Sequence, residues 1–282
     1  MSTSRECEVV ITRSGAHAML DHASGEVMHP VVGPLVEAEQ LYLQPSRLRE
    51  RLSTSSSDPL VLFDVGLGAG SNAALAFRTS EALRGLRRPL TIVSFETSLA
   101  AFALAATSEH RAAFGLDDDV LPAARALLER GEHRTPHTHW RLVRGDVLET
   151  IRAEPAQAAD VVFWDPFSPR ANPALWTAAA FEALHRACRP GVSVHTYSTA
   201  TAVRSALLLA GFAVGQGPST GEKAQTTLAA LDARDLAQPL DLRWLTRLTR
   251  SSAPFPSDAP PDAMQRVHAL AQFSPADART SP

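Results

Sequence analysis

Residues 61–72 read Val61-Leu62-Phe63-Asp64-Val65-Gly66-Leu67-Gly68-Ala69-Gly70-Ser71-Asn72. An apolar run leads into Asp64. Glycines follow at alternate positions, Gly66, Gly68 and Gly70, and an alanine-rich helical pattern starts at once. A strand, a tight glycine turn and a helix N-terminus form the usual cradle for a nucleotide-like cofactor at the carboxyl edge of a parallel sheet. A dinucleotide fingerprint, G-x-G-x-x-G, requires glycine at position 71, where Ser71 stands. Gly66 and Gly68 let the backbone turn tightly and approach a ligand. Gly70 leaves room at the helix start, whose free N–H groups suit a carboxylate. Asp64 can pair with an ammonium group. The alternative is a glycine turn with no ligand. It is disfavoured because three glycines cost chain entropy and contribute no packing.

Outward from this stretch, residues 59–235 alternate strand and helix patterns. Strands are expected at 60–65, 90–95, 140–143, 161–164, 192–197, 212–215 and 226–231. Helices are expected at 72–86, 99–113, 122–130, 173–188 and 200–210. This alternation implies a parallel sheet with helices on both faces. The last two strands are close enough to form a hairpin, which places an antiparallel strand at the sheet edge. The expected fold is therefore α/β, a seven-stranded, mostly parallel sheet with an antiparallel edge hairpin.

Residues 1–58 read as a small N-terminal β-appendage with turns at Ser14-Gly15 and Ser24-Gly25, then a lead-in helix interrupted at Pro45. Residues 116–139 are longer than a plain connection and read as an insertion. Residues 236–282 form a C-terminal extension with a helix expected at 260–272 and a disordered end.

Two further acidic residues fall in register with the glycine loop. Glu96 follows the second strand, where a carboxylate accepts the two hydroxyls of a ribose. Asp146 follows the third strand in Arg144-Gly145-Asp146-Val147; it can face an adenine amine or cap the next helix. The fourth strand runs into Asp165-Pro166-Phe167-Ser168-Pro169, beside the glycine loop. Asp165 and the Pro166 carbonyl can accept N–H hydrogen bonds and aim a nitrogen lone pair, and Asp165 favours positive charge developing on that nitrogen. Phe167 offers a flat face to a planar group, or belongs to the core.

The spacing D-x-G-x-G-x-G resembles motif I of class I S-adenosylmethionine methyltransferases, whose fold is Rossmann-like. Asp165-Pro166-Phe167 resembles the acceptor motif of amino-methyltransferases. The run Phe163-Trp164-Asp165-Pro166-Phe167-Ser168-Pro169-Arg170-Ala171-Asn172-Pro173-Ala174-Leu175-Trp176 is similar to the signature of MnmC-type methyltransferases. So are Arg189-Pro190-Gly191, His195-Thr196-Tyr197-Ser198, Val203-Arg204, Leu209-Ala210-Gly211-Phe212 and Gly221-Glu222-Lys223. The resemblance implies S-adenosyl-L-methionine as cofactor, held by Asp64, Gly66, Gly68, Gly70, Glu96 and Asp146. It implies Asp165 and Phe167 as catalytic residues and Pro166, Arg170, Arg204 and Lys223 as substrate-binding residues. The implied reaction is methylation of the aminomethyl group of a modified wobble uridine in tRNA. A small amine is the other acceptor compatible with these residues. The FAD-dependent domain of bifunctional relatives is not expected, because the chain ends soon after the last core strand.

Composition narrows the alternatives. Of 282 residues 45% are hydrophobic and 20% charged, with a net charge of −3, which excludes a general nucleic-acid coat but allows a local basic rim of Arg170, Arg204 and Lys223. Arg47, Arg49 and Arg51 can extend it. Two cysteines without ligand spacing, no leader and no long apolar run point to a cytoplasmic protein without a membrane span. His133, His137 and His139 lie in an expected loop without a partner cysteine, so no metal is expected. His195 is a weaker candidate base than Asp165, because a neutral amine needs little base help. An aminopropyltransferase needs a second carboxylate in the acceptor pocket, and the Asp165 segment offers one. An inactive module of the same fold conflicts with the intact glycine loop, Glu96 and Asp165.

Overall fold

The computed structural model describes residues 6–28, 32–83, 85, 87–218 and 225–274. An N-terminal antiparallel sheet of three strands comes first: β1 (Cys7–Ile11), β2 (His17–Asp21) and β3 (Val27–Met28). Ala18 and Met19 of β2 are fully buried, so this small sheet is seated on the main body. The lead-in segment follows as short helical pieces. It widens into a π-helix at Ala38–Leu43, which ends two residues before Pro45. In a regular α-helix the Pro45 ring would clash with the carbonyl four residues earlier; the wider turn avoids this.

The main sheet is built from β4 (Leu60–Val65), β5 (Leu90–Glu96), β6 (Glu132–Arg134), β7 (Thr138–Arg144), β8 (Ala159–Trp164), β9 (Cys188–Thr196), β10 (Ala213–Gly217) and β11 (Thr226–Ala230). Their order is β10-β11-β9-β8-β4-β5-β7-β6. β4 pairs in parallel with β5 and with β8, and β11 runs antiparallel between β9 and β10. The sheet therefore has eight strands where the sequence suggests seven. The additional strand is β6, which pairs antiparallel with β7 through Glu132, His133 and Arg134. The expected insertion at 116–139 thus holds a helix, Leu121–Arg130, and this edge strand.

Apolar clusters fill both faces, as the strands' near-continuous burial requires. One joins Phe63, Val65, Trp164 and Phe181 to the helices Ala178–Ala187 and Thr201–Leu209. The other joins Leu62, Phe163, Trp140 and Phe77 to the helix Ser71–Ala82 and the lead-in residues Leu41 and Tyr42. The extension also belongs to the first cluster. A helix at Leu242–Thr249, capped by Asp241, inserts Trp244, Leu245 and Leu248, and Trp244 stacks on Phe273 at 5.9 Å. In place of one long helix at 260–272 stand Ala263–His268 and a 3-10 turn at Ala271–Phe273. The expected disordered end falls mostly outside the described residues.

From β4 the chain runs through β5 to β7 on one side, then returns to β8 and β9 on the other. The crevice beyond the carboxyl ends of β4 and β8 is the topological switch point, where open α/β sheets bind ligands.

Candidate active site

A cavity of about 480 Å³ opens at that switch point. Its wall comes from the loops after β4, β5, β7 and β8, together with the N-terminal sheet and the lead-in helix. Gly66, Gly68 and Gly70 all have positive φ, as the turn demands. A Cβ on Gly66 would lie 2.7 Å from the Asp165 carbonyl oxygen, so the glycine loop can touch the β8 loop only without a side chain there. Gly68 N–H donates to Glu96 Oε2 at 3.0 Å. Gly70 is not in the cavity wall. Its hydrogen faces the Phe102 ring, which a Cβ would meet at 2.5 Å.

Glu96 lines the cavity, and its other oxygen accepts from the backbone of Thr97 and Ser98. Asp146 also lines it while capping the helix Val147–Ala153 through Leu148 N–H at 2.8 Å, so the cap does not remove it from the cavity wall.

Asp64 lies elsewhere. β4 continues to Val65, and side chains alternate across a strand, so Val65 reaches the cavity while Asp64 points into the opposite face. There Asp64 is fully buried and accepts from its register partner Ser94 at 2.7 Å. Burial, with Asp165 and Glu96 adding to it against the Ser94 hydrogen bond, pushes its carboxyl up to about 7.

The Asp165 segment is pinned at four consecutive residues. Tyr42 O–H donates to Asp165 Oδ1 at 2.6 Å, and Asn72 Nδ2 donates to Oδ2 at 2.8 Å. The Tyr197 hydroxyl donates to the Pro166 carbonyl at 3.0 Å, and Trp176 Nε1 donates to the Phe167 carbonyl at 2.8 Å. Ser168 donates its backbone N–H to Glu26 at 3.0 Å and its hydroxyl to the same carboxylate. Tyr42 and Tyr197 are held protonated by burial and by Asp165. Among the described residues five carboxylates line the cavity, Glu26, Glu37, Glu96, Asp146 and Asp165, and no Lys, Arg or His does. Such a wall suits cationic ligands, a sulfonium or an ammonium.

The remaining sequence candidates separate. Phe167 and Pro166 line the cavity. The Arg170 side chain is 84% exposed and lies 3.8 Å from Glu26. Arg204 is not a rim cation. It is 2% exposed, donating from Nε to Thr227 and from a terminal nitrogen to the Thr226 carbonyl, so it ties the helix Thr201–Leu209 to β11. Lys223 lies outside the described residues. His195 is buried against Phe163, and burial first, then Arg51, lowers its pKa to about 3, so it stays neutral and outside the cavity wall. His139 lies 2.9 Å from Glu132, and His133 packs on Phe77. Sequence reasoning missed Tyr42, Asn72, Tyr197 and Glu26. The Asp165 segment offers one acid to an acceptor, as its sequence suggests, but Glu26 and Glu37 reach the cavity from the N-terminal region.

The residues present fit S-adenosylmethionine. Gly66 and Gly68 leave the cradle open, Glu96 stands at the tip of β5, and Asn72 Oδ1, buried at the cavity, has no hydrogen-bond partner among the described residues. A ligand N–H can fill that acceptor.

A family model described as S-adenosyl-L-methionine-dependent methyltransferase matches residues 119–232. With the switch-point cavity, this makes the chain a class I S-adenosyl-L-methionine-dependent methyltransferase. It is 30% identical over 238 residues to the tRNA 5-methylaminomethyl-2-thiouridine biosynthesis bifunctional protein MnmC of Stutzerimonas stutzeri, covering 80% of this chain and 35% of that one. The protein of the same name from Chromobacterium violaceum is 31% identical over 227 residues, covering 74% and 34%. The chain thus spans about a third of the length of these relatives. The crystal structure of MNMC2 from Aquifex aeolicus superposes with a TM-score of 0.71 at 25% identity, covering 95% of this chain and 87% of that one. Within its class, the chain is MnmC2-like.

Proposed function

We propose that the chain methylates the primary amine of an aminomethyl-modified wobble uridine in tRNA, in the cytoplasm. The observation that carries this reading is the clamped Asp165 carboxylate beside the glycine loop, in a cavity whose described charged residues are all carboxylates. The printed names of the MnmC relatives support the choice of acceptor. When bound, the cofactor supplies an electrophilic methyl group whose bonding pair stays on sulfur. The chain's part is to present a neutral nitrogen in line. Asp165 accepts an acceptor N–H, fixes the direction of the lone pair and favours the positive charge that builds on nitrogen. Phe167 and Leu175 line the same cavity and offer apolar surface to a uracil ring. Glu96 and Asp146 would hold the nucleoside part of the cofactor, with Gly66 and Gly68 along its methionine part. Asp64, buried under the loop, supports it from below.

The test is mass spectrometry of tRNA nucleosides from a strain lacking the gene. Loss of the methylaminomethyl nucleoside with accumulation of its aminomethyl precursor is expected. An unchanged nucleoside profile overturns the acceptor assignment. Calorimetry with S-adenosylmethionine tests the cofactor site separately.

A further inference from the structure

The acidic cavity raises a question of charge. A tRNA brings a phosphate on every nucleotide, yet none of the described residues lining the cavity is a cation. The described cavity wall thus offers the flanking phosphates no cationic partner, and the net charge of −3 supplies no general attraction.

A separate depression is lined by Thr201, Arg243, Thr246, Arg247, Arg250, Ser251 and Ser252. Every one of these side chains can donate a hydrogen bond, and none is a carboxylate. Arg243, Arg247 and Arg250 stand at i, i+4 and i+7 on the exposed flank of the helix Leu242–Thr249 and the residue that follows it, while Trp244, Leu245 and Leu248 are buried. None of the three guanidinium groups has a hydrogen bond or ion pair with a described residue. The nearby acid, Asp241, is engaged in capping, accepting from Arg243 N–H and Trp244 N–H. Arg247 also acts on the buried Arg204, whose guanidinium is pushed down to about 10 by burial and by that like charge. Like charges at this spacing destabilise a helix by a few tenths of a kcal/mol per pair. Arg247 and Arg250 do favour the carbonyl end of the helix, but Arg243 sits at the wrong end for that benefit.

Position connects the depression with the cavity. Thr201 opens the helix after β9, four residues beyond Tyr197, whose side chain lines the cavity. Thr201 thus places one wall of the depression at the carboxyl edge of β9. From Arg243 to Arg250 the helix rises ~10 Å, long enough to follow several successive phosphates of one strand.

We propose that Arg243, Arg247 and Arg250 form the phosphate-backbone docking surface for the RNA acceptor, separate from the cavity that receives the modified base. This rests on the tRNA reading above. The arginines hold the strand without reading sequence, and the carboxylate-lined cavity selects the amine.

The experiment measures tRNA binding by fluorescence anisotropy over a salt series, for the whole chain and for the variant Arg243→Gln/Arg247→Gln/Arg250→Gln. Methyl transfer to an aminomethyl nucleoside is followed in parallel. The variant is expected to bind tRNA at least ~10-fold more weakly, with the slope of log affinity against log salt reduced by about 2 to 3. Its transfer to the free nucleoside and its melting temperature should match the parent. The single variant Arg247→Gln should reduce the slope by about 1. If the parent methylates tRNA and the triple variant keeps its affinity and slope, the docking surface is wrong and the tRNA reading stands. If the parent methylates the nucleoside but has no salt-dependent affinity for tRNA, both fall.

Discussion

Tyr42 reaches across 123 residues of sequence to donate its hydroxyl to Asp165 Oδ1 at 2.6 Å. Burial and the facing carboxylate raise the Tyr42 pKa well above its ordinary value, so the hydroxyl remains a donor. With Asn72 on the other oxygen, the plane of the Asp165 carboxylate is fixed. Tyr42→Phe should keep the ring against Phe163 and remove this one bond. A hydrogen bond to a charged group is worth about 1.5–3 kcal/mol, so kcat should fall roughly 10- to 100-fold with cofactor affinity little changed. Single-turnover transfer and calorimetry check this; an unaltered kcat removes Tyr42 from the clamp.

Asp165→Asn keeps shape and removes charge. Transfer should fall by at least ~100-fold, because the charge that stabilises the developing ammonium is gone. Cofactor affinity should be retained. Full activity in this variant would take Asp165 out of the mechanism.

Gly66→Ala places a methyl group 2.7 Å from the Asp165 carbonyl oxygen and 3.0 Å from Pro166 Cα, on a backbone with φ of 86°. Both obstacles are backbone and cannot swing away. Cofactor affinity should fall more than ~10-fold, with a stability loss of about 1–3 kcal/mol. Gly131→Ala is the control. Its φ is 78° with nothing within 4 Å, so it should cost about 1 kcal/mol and leave binding intact.

Asp64 makes stability depend on pH. Its carboxyl titrates near 7 in the fold, against an ordinary value of 3.8. Between those values the native state holds a proton that the unfolded chain has lost, so this group's contribution declines as pH rises from 4 to 7 and is level above. Asp64→Asn cannot ionise, and its amide oxygen can still accept from Ser94. The variant should melt higher than the parent at pH 8 and at about the same temperature at pH 4. Equal differences at both values would contradict a buried, protonatable Asp64.

Arg204→Ala tests the reassignment of that residue. It removes the bonds to Thr227 Oγ1 and the Thr226 carbonyl and leaves a hole under β11. Stability should fall by about 2–4 kcal/mol in a denaturant titration. The salt dependence of tRNA binding should not change, since the side chain is buried.

Much of this molecule can be read locally. β4 occupies residues 60–65 as its apolar run predicts, and the expected centres of the other six strands all fall within strands. β6 escaped because Glu132-His133-Arg134 has no apolar alternation; it exists only because β7 offers it an edge. The helix Leu242–Thr249 had a usable signal, with Asp241 as cap and Trp244, Leu245 and Leu248 at helical spacing. Asp165 was legible because strand, acid and proline are contiguous. Tyr42, Tyr197 and Glu26 were not, because only the tertiary fold brings them to that loop. Asn72 stood within the opening stretch itself, but nothing local distinguishes a side chain that holds a carboxylate from one that starts a helix. Arg204 misled because arginine is seldom fully buried. Its flanking Val203, Leu207 and Leu208 marked it as lying on the inner face of the helix.

The margins of the main sheet have a consequence for how the protein behaves in a crowded solution. An open sheet offers unpaired backbone groups at each edge, where a second chain can add and begin an aggregate. Here one margin ends in the three polar residues of β6, too short and too charged to template a long partner strand. At the other, residues 238–240 cover β10: Gln216 N–H donates to the Gln238 carbonyl, Leu240 N–H donates to the Val214 carbonyl, and Pro239 presents no N–H of its own. The Gln272 side chain bonds both backbone groups of Val214 and so closes the same margin further. The C-terminal segment that carries the arginine flank therefore also keeps the sheet from growing. Deleting it should expose a sticky edge as well as weaken a grip on RNA.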